Sequence, residues 1–160
     1  MMILFKFSVA AAIVIIGYIY AKKYRNKAKF FGDLHIFLLS YCDCLQFSRS
    51  DLIQFVDGQK EHNEIFGEFL HSCKRHMKCP DEEIVFPDSI KIDEDWKVLV
   101  GQFFENLGKS DAAGELSKCG EYKQIFQKYK IETETESKRN FPLFFKLSIY
   151  GAILFLVLFL

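Results

Sequence analysis

The chain has 160 residues, with 21 lysines and arginines against 21 aspartates and glutamates, so its net charge directs it towards neither nucleic acid nor an acidic substrate. Half of the residues are hydrophobic and 18 are phenylalanine, and the apolar residues crowd the two ends. Setting aside residues 1–21 and 141–160 leaves roughly 120 residues, which excludes two middle domains and suits one domain with its own core.

Ile3 to Ala21 is an apolar run of about 19 residues with Lys6 as its only charge, and at 1.5 Å per residue it matches a hydrocarbon layer of about 30 Å. A cleavable signal carries its positive charge before the apolar run and small residues at its end. Here most of the charge follows, as Lys22, Lys23, Arg25, Lys27 and Lys29, and Tyr18, Ile19 and Tyr20 are too bulky for a cleavage site. The run is read as an uncleaved anchor.

From Phe30 the apolar residues fall at helical steps of three and four: Phe30, Leu34, Phe37, Leu38, Tyr41 and Leu45. Ser50 and Asp51 offer a cap for a short helix carrying Leu52, Ile53 and Val56 and closed by Gly58. A third stripe runs Ile65, Phe66, Phe69, Leu70, Cys73 and Met77, and an irregular stretch from Pro80 to Ser89 follows. A fourth helix is expected to begin at Asp93 to Asp95, to bury Trp96, Leu99, Val100, Phe103, Phe104 and Leu107, and to end with Gly108 just past its C-cap.

Ser110 or Asp111 then starts a long helix bearing Leu116, Cys119, Tyr122, Phe126 and Tyr129. The polar stretch Glu132 to Arg139 is a solvated extension of it or a linker, and Pro142 is expected to bend or break the helix there. Phe141 to Leu160 forms the second span, with Lys146 snorkelling towards the headgroups. Its consecutive apolar residues from Ile153 to Phe159 leave no polar stripe, as a buried amphipathic helix would need.

Basic residues crowd the inner flanks of both spans, Lys138, Arg139 and Lys146 at the second, so the middle of the chain is expected in the cytoplasm with both termini facing outward. The expected fold class is all-α: a cytoplasmic antiparallel helical bundle over residues 22–140, between transmembrane helices at 1–21 and 141–160.

The sequence carries no phosphate-binding loop, dinucleotide fingerprint, paired-histidine zinc motif or nucleophile elbow, and no catalytic residue or cofactor is assigned. His71, Cys73, His76 and Cys79, with Cys42 and Cys44 elsewhere, have side chains that could ligate zinc. They lack the paired two-residue spacing of a zinc ribbon, and Cys73 also fits the apolar stripe as a small core residue, so no metal ligand is assigned. Lys74, Arg75 and Lys78 make a basic helix end, followed at once by Asp81, Glu82 and Glu83. This is either dipole compensation on a solvated surface or a docking patch for a partner. Glu61, Glu64 and Glu68 read as the wet side of a helix.

Four features, in order along nearly the whole chain, resemble the stage III sporulation protein AB family of endospore-forming bacteria. They are a short N-terminal span followed by the basic stretch Ala21 to Lys29; a helix through Leu38-Leu39-Ser40-Tyr41 leading past Phe47 to Asp51-Leu52; the Leu-Gly-x-x-Asp signature Leu107-Gly108-Lys109-Ser110-Asp111 after the aromatic-rich Phe103-Phe104; and a basic helix running into a terminal apolar segment. Departures are Cys42-Asp43-Cys44 where an acidic residue is usual, Glu115 or a neighbour in place of a Gln after the signature, and Pro142 before the last span.

The resemblance implies a mother-cell membrane protein of the channel complex joining mother cell and forespore, similar to the cytoplasmic domains of the inner-membrane platform protein of type II secretion systems. It implies a non-enzymatic scaffold whose partners are other membrane subunits of the complex, its cytoplasmic ATPase and membrane lipid, with no nucleic acid. The candidate partner-binding residues are Lys74, Arg75, Lys78, Lys109 and Asp111. The competing reading is a membrane-anchored metal- or redox-sensing protein using the Cys/His cluster.

Overall fold

The computed structural model describes residues 2–47, 52–58 and 63–159, and over these the chain is helical, with no strand. Helices α1 (Met2–Phe47) and α5 (Ala112–Phe159) are long; α2 (Leu52–Gly58), α3 (Glu64–Lys78) and α4 (Glu94–Glu105) are short and lie between them in sequence. The cap expected at Ser50 and Asp51 lies outside the described residues.

α1 and α5 run antiparallel along their whole lengths. Gly17 faces Ser148, Tyr18 meets Phe145, Lys27 reaches Glu136, Phe31 meets Tyr129, and Tyr41 reaches Glu115. Each apolar stretch is therefore the first or last part of a helix that continues, without interruption, into the part of the fold that carries the short helices. α5 passes straight through Pro142 as one helix, so the break allowed for there is absent. A proline removes one intrahelical bond, whereas ending the helix would leave several backbone groups without partners at the edge of an apolar zone. The polar stretch from Glu132 to Arg139 is part of the same helix, the solvated extension of the two alternatives.

The seam between the two helices changes character along its length. In the apolar halves it is lined by small residues: Ala10, Ala21, Ser148 and Ala152 are buried, and Gly17 sits where a Cβ would lie 2.1 Å from that of Ser148. Small residues let helix backbones approach closely where no hydrophobic force draws them together, as between helices in lipid. Further along, the seam becomes aromatic. Trp96 stacks on Tyr129 with ring centroids 3.5 Å apart, and Phe31 meets both edge-on, its centroid 4.4 Å from that of Tyr129.

The middle helices pack against this second half. Phe30, Leu34, Phe37 and Leu38 of α1, Phe66, Phe69, Leu70 and Cys73 of α3, Val100, Phe103 and Phe104 of α4, and Cys119 and Phe126 of α5 form one buried cluster. These are the stripes expected from the 3.6-residue period. α4 closes at Asn106, one residue earlier than expected, and Gly108 holds a φ of 75°, which a side chain would strain.

The two apolar halves are long and apolar enough to cross a membrane, and only 11% and 6% of their most apolar stretches are buried within the fold. A core helix of a soluble protein would be mostly covered. Leu4, Phe5, Ile16, Val157 and Leu158 are instead open to the surroundings. An aromatic collar separates these halves from the rest: Tyr18 packs edge-on to Phe141 and Phe145, Tyr24 stacks on Phe144, and Arg25 lies over the Phe141 ring at 5.0 Å. Tyrosines and basic residues at one level are what a water–lipid boundary selects.

Candidate partner-binding end

At the end of the fold away from the apolar halves, the turn joining α4 to α5 is organised by one buried carboxylate. Glu115, in the first turn of α5, is 4% exposed. Its Oε2 accepts hydrogen bonds from the Gly108 N–H (3.2 Å) and the Tyr41 hydroxyl (3.1 Å), and its Oε1 accepts from the Ser110 N–H (3.0 Å). Asp111 caps α5: its Oδ1 accepts from the Gly114 N–H at 3.0 Å. The segment Leu107 to Asp111 is thus held by the Glu115 carboxylate of α5, which Tyr41 of α1 fixes from the other side. Burial and the facing Glu115 carboxylate push the Tyr41 hydroxyl far above its ordinary pKa, so it remains a donor.

A groove of about 310 Å³ runs beside this turn. Leu107 and Lys109 form one wall, His76 and Met77 at the end of α3 the other, and Leu52 and Ile53 of α2 also line it. The fold therefore brings Lys109 next to His76 and Met77 in the last turn of α3, while Lys74, Arg75 and Lys78 do not line the groove. It treats the five candidates differently. Lys74 pairs with Asp57 of α2, and Arg75 Nε lies 3.7 Å from Glu82 in the loop that follows α3. Exposed pairs of this kind contribute about 0–1 kcal/mol and leave the surface polar. Lys78 and Lys109 are exposed and make no ion pair among the described residues, and Asp111 serves its helix cap.

The cysteines and histidines do not converge. On α3 successive residues turn by about 100°, so His71 is exposed while Cys73 is fully buried. His76 Nδ1 donates to the Glu82 carbonyl at 2.5 Å, and Cys79 is exposed beyond the helix end. Among the described residues no three such side chains sit close enough to hold an ion. Cys42 instead faces Cys119 across the α1–α5 seam, where burial, with Cys42 beside it, pushes the Cys119 thiol up to about 12. Burial likewise raises the Cys73 thiol, which marks a core residue and not a reactive one.

Glu115 and Tyr41 were not assigned a role from the sequence. An acidic residue in a first helical turn ordinarily faces water and the helix dipole. The signal that could have found it is the closeness of Asp111 and Glu115, two acceptors in one turn, directly after the glycine-bearing turn that ends α4.

The fold and site together define a class: an all-helical protein in which two long, antiparallel helices with bare apolar halves carry three short helices at their other end. No family model, curated protein or solved structure matches the chain.

Proposed function

We propose that this chain is a non-enzymatic membrane scaffold of the channel complex that joins mother cell and forespore during sporulation. Its two apolar helix halves span the membrane, its middle region lies in the cytoplasm, and the groove beside Lys109 docks the complex's ATPase. The observation that carries this reading is the order of four sequence features along one chain, ending in the Leu107 to Asp111 signature. The architecture supports it in a specific way. Because α1 and α5 are antiparallel, both apolar halves lie at the same end, so a single bilayer can take up both and leave α2, α3 and α4 on one side of it. Lysines and arginines crowd that side of the aromatic collar, as the cytoplasmic face requires.

A scaffold anchored at both ends also suits a groove with modest contacts, because tethering raises the effective concentration of a weakly bound partner. The test is affinity purification of the tagged full chain from crosslinked sporulating cells. The expected result is recovery of an ATPase and other membrane subunits, with the ATPase reduced by Lys109→Glu. Normal spore formation in a strain lacking the protein would end the proposal.

A further inference from the structure

At the aromatic collar, the loop after Pro87 folds back against α1. Asn26 Nδ2 donates to the Ser89 carbonyl at 3.2 Å, and Ile90 and Ile92 are buried beneath. A cavity of about 150 Å³ opens between this loop and the two long helices. Lys27 projects into it with a side chain only 12% exposed, its Nζ 3.5 Å from Glu136 and 3.8 Å from Asp93. Both carboxylates are therefore committed to Lys27. Lys23 and Lys91 line the same cavity and make no ion pair among the described residues. Three ammonium groups against two carboxylates leave one positive charge in excess, in a site that is partly walled from water.

The surroundings say what kind of anion fits. Tyr20 and Tyr24 also line the cavity, with their rings 6.0 Å apart, and offer hydroxyl donors. One turn towards the N-terminus, on the same faces of α1 as Tyr20 and Lys23, lie Ile16 and Ile19, both exposed. A positive cavity at the level of the collar thus opens onto an uncovered apolar stripe.

We propose that this cavity binds the phosphate of an anionic phospholipid, whose acyl chains lie along the Ile16 and Ile19 face. The phosphodiester charge matches the excess ammonium, Lys23 and Lys91 pair with its oxygens, and the tyrosine hydroxyls donate to them. A free phosphate ion would meet the same ammonium groups but would leave the apolar stripe bare. The proposal rests on reading the apolar halves as membrane-spanning.

The test is native mass spectrometry of the full chain, purified in a neutral detergent and titrated separately with phosphatidylglycerol, phosphatidylcholine and inorganic phosphate. Phosphatidylglycerol is expected to be retained at about tenfold lower concentration than phosphatidylcholine, and Lys23→Gln with Lys91→Gln should abolish that preference. Lys22→Gln with Lys138→Gln removes two exposed lysines that do not line the cavity and should preserve it. Should the double variant lose helicity, the single Lys91→Gln change in the loop gives the same comparison. Equal retention of the two lipids, an equal loss in both double variants, or displacement of lipid by millimolar phosphate would each overturn the lipid site alone. A chain that stays in solution without detergent would overturn the membrane reading and this proposal with it.

Discussion

Glu115 is the residue on which the candidate binding end most depends, because three donors from two distant stretches of chain, Tyr41 on α1 and the Gly108 and Ser110 N–H groups of the turn, meet on one carboxylate. Glu115→Ala leaves two backbone N–H groups and a buried hydroxyl without an acceptor, and should destabilise the protein by about 3 kcal/mol. Glu115→Gln keeps one carbonyl oxygen and should cost about 1 kcal/mol. Denaturant unfolding of the full chain in detergent, followed by circular dichroism, measures both, and equal losses would show that the hydrogen bonds are not the cause. His35 gives a prediction of the opposite sign. It is buried on α1, its Nε2 makes no hydrogen bond among the described residues, and burial together with Lys130 and Lys123 of α5 holds its pKa below the ordinary 6.5. In the unfolded chain this imidazole takes up a proton as pH falls through about 6.5, while in the folded chain it resists until lower pH. The unfolded state then binds more protons, so this contribution to stability is present above 6.5 and is lost as the medium becomes more acidic. His35→Leu should flatten the decline in melting temperature between pH 7 and pH 5, and should raise stability at pH 7 by about 1 kcal/mol. An unchanged slope would show that His35 is not its source.

At the scale of elements, the helices of the middle region were readable because burial imposes a period. Phe66, Phe69, Leu70 and Cys73 point inward because steps of three and four return to one face, and the same rule placed Phe30 to Tyr41. The union of each span with its neighbouring helix was not readable. Nothing local in Lys22 to Lys29 or in Glu132 to Arg139 distinguishes a helix from a linker, and the helix is held there by contacts across the pair, such as Lys27 with Glu136. The Cys42–Cys119 contact and the Glu115 clamp were hidden for the same reason, since each joins residues more than seventy positions apart. The close approach of α1 and α5 in their apolar halves yields a sharp contrast between two glycines. A Cβ at Gly17 would collide with Ser148, whereas at Gly151 the nearest side-chain atom, on Ile13, is 4.0 Å away. Gly17→Leu should therefore force the helices apart and destabilise the pair by about 2 kcal/mol, while Gly151→Ala should change it by less than about 0.5 kcal/mol. Thermal melts of the two variants in the same detergent decide this, and similar melting temperatures would mean that the helices do not pack through Gly17.

For the whole molecule, the decisive quantity under the proposed membrane-spanning arrangement is which side of the bilayer receives α2, α3 and α4. The antiparallel pair removes one alternative, because two spans that enter from the same end cannot place the middle helices on opposite sides. On that proposal a choice between cytoplasm and exterior remains, and the distribution of charge biases it. Lys22, Lys23, Arg25, Lys27 and Lys29 on α1 and Lys138, Arg139 and Lys146 on α5 lie at or beyond the collar on the side of the short helices. Retaining such residues in the cytoplasm outweighs the placement of acidic ones, so Glu132, Glu134 and Glu136 in the same zone do not cancel the bias. The chain carries its own reporter for the outcome: Cys79 is exposed just past α3, while Cys73 and Cys119 are buried. A maleimide that cannot cross membranes should leave Cys79 unmodified in intact cells and modify it once the membrane is permeabilised, with the site confirmed by peptide mass spectrometry. Cys79→Ser should remove that signal. Modification of Cys79 in intact cells would put the middle helices outside, and the positive residues would then have failed to set the orientation of the pair.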